Sequence, residues 1–397
     1  MRNVWILAAA QAFGACGSIT LVTFGGIVGM RIAPASTLAT LPLALMIVGA
    51  AVATLPAALL MRRFGRKPAF VTSTLISASA ALLAAWANAH GQFPLFCLAC
   101  LVIGTSQAVV MQYRFAATEY APLEDAGRAV GIVMLGTLVA AALGPEVGDR
   151  ARLLGEWPEF TGTFVALAVL SLLGGLVLAV LDRPPQRATV STAPERRLRE
   201  IAAQPAFVVA VLAGISSYAV MSFIMTATPI SMHVYDGMSV TATRQVITAH
   251  LVAMYAPSLA SGWLTRVLGL QRMMLLGVAA MVLCVAIAAV VGQAFMHYLA
   301  ALMLLGLGWN LLFVAGTTLL TRTYTAAERF KAQGFNDLAT FAAQATVSLL
   351  AGTAIAALGW AGLNLVGLPL LIGTAAAIVW LASRERAAAR PAAESVD

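Results

Sequence analysis

Two pairs of side chains at helical spacing carry the most specific chemistry in this 397-residue sequence. Met221 and Met225 are four residues apart, as are His250 and Met254, so each pair shares one face of a helix. Suppose the two stretches cross a membrane in opposite directions, centred near residues 218 and 252. At about 1.5 Å per residue, Met221 then lies roughly 4–5 Å outward of its centre and His250 roughly 3 Å outward of its own. Three thioethers and one imidazole at one level make a soft ligand set, which selects Cu(I), or Ag(I), over Zn(II), Mn(II) or Mg(II). Thioethers bind without losing a proton, whereas imidazole must be neutral, so His250 is the pH-sensitive member of such a set. With no anionic ligand, the set suits a monovalent ion that must also be released. The competing reading is packing, because methionine fills helix interfaces adaptably and a Met-x-x-x-Met pair alone says little.

Other side chains form a second tier. Met232 and His233 sit seven and eight residues beyond Met225, either as an entry relay or as an ordinary helix end. Cys97 and Cys100 share a helix face, as a transient copper or redox pair or as small buried hydrophobes. Gln112 and Arg114, with Trp309 and Asn310, form the polar and aromatic set that an organic ligand would want; interhelical hydrogen bonding is the plainer use. Glu119, Glu124 and Arg128 read as a latch on the inward face.

The elements that must position these residues follow from composition. The chain is 61% hydrophobic and 10% charged, against about 25% charged for a soluble domain. That predicts an integral membrane protein, in which each crossing helix needs about 20 apolar residues. Apolar runs between charged breaks give twelve spans, near 4–30, 37–61, 69–89, 93–118, 127–146 and 161–181, then 205–232, 240–264, 272–292, 295–320, 334–357 and 360–382. A polar, proline-containing stretch at 182–204 divides them. The expected organisation is a six-helix half (1–181), a cytoplasmic linker (182–204), a second six-helix half (205–382) and a cytoplasmic tail (383–397).

With the N-terminus placed in the cytoplasm, 19 of the 24 Lys and Arg fall on the cytoplasmic side. The positive-inside rule therefore predicts cytoplasmic N- and C-termini. The same loops account for the net charge of +8 without a nucleic-acid partner. The four cysteines lie in apolar stretches, which excludes a secreted disulfide framework. The first apolar run is too long for a signal peptide and reads as a permanent helix. No nucleotide motif, nucleophile–base pair or accessible metal cluster points to an enzyme.

The halves repeat. An offset of 204 residues places Arg62 on Arg266, Gly65 on Gly269, Gly104 on Gly308, Tyr120 on Tyr324 and Glu124 on Glu328. It also pairs Met46 with His250 and brings Cys16 to one residue from the partner of Met221, so either could complete a site from the opposite half, or simply pack. Six plus six parallel helices with a basic linker describe the major facilitator architecture: an all-α membrane protein of twelve transmembrane helices in two pseudo-symmetric halves.

Met61-Arg62-Arg63-Phe64-Gly65-Arg66-Lys67 resembles the loop signature of that family, with Arg62 standing where an aspartate is usual and Ala58 where a glycine is usual. Gly136 through Gly144-Pro145 resembles its glycine-rich motif only loosely. The Met-x-x-x-Met and His-x-x-x-Met pairs, with Thr228-Pro229-Ile230-Ser231-Met232-His233 and Gly306-Leu307-Gly308-Trp309-Asn310, resemble the CcoA-type copper importers, a bacterial branch of the family. The resemblance implies that Met221, Met225, His250 and Met254 bind copper as transported substrate, free, chelated or handed over by a carrier. It implies no permanently bound cofactor, an inner-membrane location within the lipid bilayer, alternating access and a monomer. The same branch includes proteins that look like riboflavin transporters, which keeps open the alternative of a neutral aromatic nutrient lined by the thioethers.

Overall fold

The computed structural model describes residues 1–121, 126–182, 196–325 and 328–393; Glu124, most of the linker (183–195) and the last residues of the tail lie outside them. The described residues fold almost entirely as helix. In chain order these are α1 (Arg2–Ile32), α2 (Leu41–Phe64), α3 (Arg66–Ala89), α4 (Phe93–Val110), α5 (Tyr113–Tyr120), α6 (Ala126–Ala151) and α7 (Thr161–Ala179). There follow α8 (Leu198–Ala202), α9 (Pro205–Pro229), α10 (Val240–Tyr255), α11 (Ser261–Leu268) and α12 (Leu270–Ala286), then α13 (Phe295–Thr321), α14 (Arg329–Val366) and α15 (Leu368–Ala393). Helix is the expected answer for long apolar runs in lipid, because it pairs nearly every backbone N–H and C=O within its own segment.

Ten helical stretches among the described residues are long and apolar enough to cross a membrane. The difference from twelve has two local causes. In the eighth expected span α10 stops at Tyr255 and a 3₁₀ turn covers Ala256–Ala260 before α11. Pro257 lies in that turn, where its missing N–H breaks the helical ladder. The last two spans, conversely, run on as one stretch over 331–387. Gly359 interrupts it with φ 65° and ψ −175°, at the point where the sequence separates 357 from 360. Reading the broken segment as one crossing and the fused run as two restores twelve.

By internal packing the chain divides into two compact units, one of Met1–Ala188, Phe223–Val252 and Ala345–Gly359, the other of Thr189–Ser222, Ala253–Gln344 and Trp360–Asp397. Within the first, α1 packs on α6 and α7, α2 on α4, and α3 on α4 and α7. In the second, α12 packs on α13 and α15. Small residues allow the close approaches, as is usual when lipid cannot drive helices together. A Cβ added at Gly104 would fall on the backbone carbonyl of Met46, and one at Gly136 on that of Ala8. The glycine-rich stretch of α6 is thus a packing surface for α1. Outward faces carry exposed apolar side chains such as Val52, Leu55, Leu338 and Leu350, suited to acyl chains.

The repeat is visible in backbone angles. Gly65, between α2 and α3, has φ 88° and ψ 164°; Gly269, between α11 and α12, has φ 74° and ψ 161°. Both conformations are open to glycine and strained for other residues, so the two matched glycines make the same corner.

Candidate functional site

The densest polar and aromatic arrangement in the second unit surrounds Trp309 on α13. Trp309 and Phe313 are four apart and stack, with centroids 4.9 Å apart and planes 19° from parallel. Tyr218 of α9 meets Trp309 edge-on at 5.2 Å, Phe313 at 5.2 Å and Phe341 of α14 at 5.9 Å. Tyr255, the last residue of α10, meets Trp309 at 5.9 Å. Such offset and edge-to-face geometries are the favoured ones for rings. Trp309 is 3% exposed, yet its Nε1–H is buried with no hydrogen-bond partner. Beside it, Asn310 donates from Nδ2 to the Met254 carbonyl at 2.8 Å and to Ser258 Oγ at 2.6 Å, while its Oδ1 is buried without a partner. One donor and one acceptor left open beside a stack of rings fit a flat ligand that carries both kinds of group at its edge. Sequence reasoning named Trp309 and Asn310 but missed Tyr218, Tyr255, Phe313 and Phe341. The Trp309–Phe313 spacing was the available signal.

The residues expected to hold a soft metal are all buried: Met221 is 7% exposed, Met225 4%, Met254 5% and His250 0%. Met225 and His250 belong to the first unit, Met221 and Met254 to the second. Met232 and His233 lie in a π-helical turn, Ile230–Tyr235, that continues α9 past Pro229. Met232 is fully buried, and His233 Nδ1 donates to the Met238 carbonyl at 2.7 Å. Met46 is buried in α2, and the Cys16 thiol donates to the Ala12 carbonyl of its own helix at 3.0 Å. Cys97 and Cys100 are buried in α4 as free thiols.

Gln112 and Arg114 stand where the fourth span breaks between α4 and α5. Gln112 stands at the N-cap position of α5 without a side-chain capping bond, and the Arg114 guanidinium carbon lies 4.8 Å from the Phe115 ring centre, with Nε buried and unpartnered. Elsewhere in the first unit, ion pairs tie helix ends. Arg244 of α10 bridges Glu146 and Asp149 of α6, at 3.0 Å to Asp149, and Thr241 adds a 3.0 Å bond to the same carboxylate. Arg152 pairs with Asp149 at 2.8 Å and with Glu159. Arg66 grips Glu119 with two bonds, one of 2.8 Å. An acid on α5 thus meets the basic loop that carries Arg62 in place of the usual aspartate. In the second unit, Arg196 holds Glu328 through its backbone N–H at 2.9 Å and two guanidinium bonds of 2.7 Å. Those bonds, with the Thr325 N–H, hold the Glu328 carboxyl well below the usual carboxylate range.

The sequence profile of the Major Facilitator Superfamily matches residues 4–239 and again 210–396. The chain belongs to that family: it is a multi-pass membrane transporter and not an enzyme. It is 39% identical over 372 residues to the riboflavin transporter RfnT of Brucella anthropi, covering 93% of each chain. It is 29% identical over 399 residues to the uncharacterised transporter YdeG of Bacillus subtilis, covering 96% of this chain and 92% of the other. Crystal structures of a bacterial homologue of the lysosomal transporter Spinster superpose with TM-scores of 0.73 and 0.74 at 15% and 14% identity, over 96% of both chains. That likeness is one of fold.

These findings overturn copper import. A relative of such identity and coverage is a riboflavin transporter, and nothing places the chain in the copper branch. The physical reason the spacing misled is plain. Side chains packed on one helix face recur at three or four residues, and three of the four buried positions are methionines, a residue that commonly serves as packing.

Proposed function

We propose that the protein imports riboflavin, or a closely similar neutral planar heteroaromatic, across the bacterial inner membrane by alternating access, with both termini cytoplasmic and the two six-helix halves as the moving parts. The observation that carries this reading is the Trp309 cluster: stacked and edge-on rings around a buried indole N–H and an amide oxygen with no partner. An isoalloxazine ring offers a flat face for stacking and carbonyl and N–H groups in its plane for those two positions. Identity to a riboflavin transporter supports the same cargo. Met221, Met225 and Met254 then serve as polarisable apolar lining.

The test is uptake of riboflavin by cells that neither make it nor import it by another route. Wild-type protein restores growth at low external riboflavin. Trp309→Ala removes a stacking partner and a hydrogen bond, each of about 0.5–1.5 kcal/mol. Uptake at subsaturating riboflavin should fall roughly 5- to 140-fold with the protein still in the membrane. Correctly inserted wild-type protein that carries no riboflavin defeats the proposal.

A further inference from the structure

A second polar site lies in the first unit, away from the Trp309 cluster. The facing sides of α1, α3, α4 and α7 leave a cavity lined by Ser18, Ser73, Thr74, Ser77, Ser106 and Ser171. Gln107 adds an amide, and Gly14, Ile103 and Val110 close the remainder. The space admits an occupant about the size of one water molecule, far too small for an organic nutrient. It lies at mid-height of the bundle, since Ser18 is one residue from the midpoint of α1, and Ser18, Ser77 and Gln107 are half-buried.

Five of the six hydroxyl hydrogens are already committed. Ser18 donates to the Ala15 carbonyl at 3.1 Å, Ser73 to Phe70 at 2.8 Å, Thr74 to Val71 at 2.8 Å and Ser106 to Ser73 at 3.0 Å. A carbonyl oxygen has no hydrogen to give, so in each pair the hydroxyl is the donor. Ser77 and Ser171 share a further bond at 3.2 Å. What remains for the cavity is chiefly oxygen lone pairs from several helices, with an amide oxygen available from Gln107. Oxygen donors without sulfur or imidazole suit a hard cation. The absence of a carboxylate among the lining residues favours a single charge, and the size favours a small ion.

The hollow is not a requirement of the repeated fold. At the 204-residue offset Gly14 corresponds to Tyr218 and Ser77 to Met281. Tyr218 there packs into the aromatic cluster, and Met281 presses on Gly308, whose added Cβ would lie 2.5 Å from the Met281 Cγ. The second half fills the place that the first keeps open and polar.

We infer that this cavity binds Na⁺ and that the bound ion couples the uptake of a neutral cargo to the sodium gradient. The coupling part rests on the riboflavin reading; the binding part does not. The first experiment therefore uses no cargo. Thermal unfolding of the purified full-length protein is followed in NaCl, KCl and choline chloride at equal ionic strength. Na⁺ should raise Tm saturably, by about 3–5 °C, where choline does not. Ser77→Ala/Ser171→Ala removes two oxygens and should abolish the Na⁺ response. Ser77→Met, which copies the second half and fills the space, should abolish it while keeping a cooperative transition. A wild-type Tm indifferent to Na⁺, or a response retained by both variants, means a buried water only and overturns the site. In proteoliposomes, an inward Na⁺ gradient should raise initial riboflavin uptake at least 5-fold over choline. Equal uptake in both overturns the coupling. A Na⁺ response in Tm from protein that carries no riboflavin defeats the cargo reading and leaves the cation site standing.

Discussion

At matched positions of the two halves the same backbone frame carries opposite chemistry. Gly14, Ser77, Thr105 and Ser106 in the first half correspond to Tyr218, Met281, Trp309 and Asn310 in the second. Of the first set, Gly14, Ser77 and Ser106 line a small hydroxyl-lined cavity. The second builds or backs a packed group of rings with an open indole N–H. The joints have not diverged in the same way: Gly65 and Gly269 keep nearly identical angles. Helix corners are fixed by backbone stereochemistry, which few residues satisfy. Side chains between the corners can change freely provided the space is refilled. A repeated fold can therefore divide labour between its halves without altering its architecture.

The sharpest way to break this comparison is at Gly104 and Gly308. Gly104→Ala drives a Cβ into the Met46 backbone carbonyl, which cannot turn aside. Little folded protein should reach the membrane, with at least a 10-fold loss in a Western blot of the membrane fraction. Gly308→Ala meets the Met281 Cγ at 2.5 Å, the Gly277 carbonyl at 2.7 Å and the Met281 N at 3.0 Å, a lesser overlap, and should lose about 2- to 4-fold in the same blot. Equal losses would mean that the halves depend on their glycines alike.

Arg244 comes next in size. Arg244→Ala leaves Glu146 and Asp149 short of a shared counter-ion, and should cut riboflavin uptake about 10-fold while Arg244→Lys recovers only part of it, because lysine cannot bridge two carboxylates with a planar fork. Glu328 tests the other unit. Its folded pKa is depressed, so its contribution is present above the unfolded value of about 4.3 and fades only as pH falls through the lower folded one. The pH dependence of Tm between 5 and 8 should accordingly owe nothing to this carboxyl, and Glu328→Gln should lower Tm by a constant amount across that range. A difference that grows with pH there would contradict the assignment. The smallest effect is expected at Met221→Leu/Met225→Leu, volume-conserving changes in apolar lining. Riboflavin uptake should change less than about 3-fold, and copper content of the cells not at all.

Much of the frame was legible because its causes are local. Apolar run length marked the spans, and Gly359 breaks the final stretch where the sequence implied a boundary. Pro257 was visible as a residue but not as the end of α10, since prolines such as Pro56 and Pro145 sit inside helices here. The break between α4 and α5 at Met111–Gln112 has no proline or glycine to announce it. Trp309 and Asn310 stood out as polar or aromatic residues in an apolar span, but their partners come from α9, α10 and α14, a tertiary fact. Six hydroxyls on four helices look like ordinary small residues until they face one space. The Met221–Met225 and His250–Met254 pairs suggested the wrong cargo for the opposite reason, being conspicuous in sequence and commonplace in packing.

The buried indole of Trp309 has an optical consequence. An indole without a hydrogen-bond acceptor, held among aromatic rings, emits at shorter wavelength than one in water, and a flavin stacked against it would quench both partners by electron transfer from the indole. Occupancy can then be followed without a label, as the difference in emission between wild type and Trp309→Phe, which isolates this residue from the other six tryptophans.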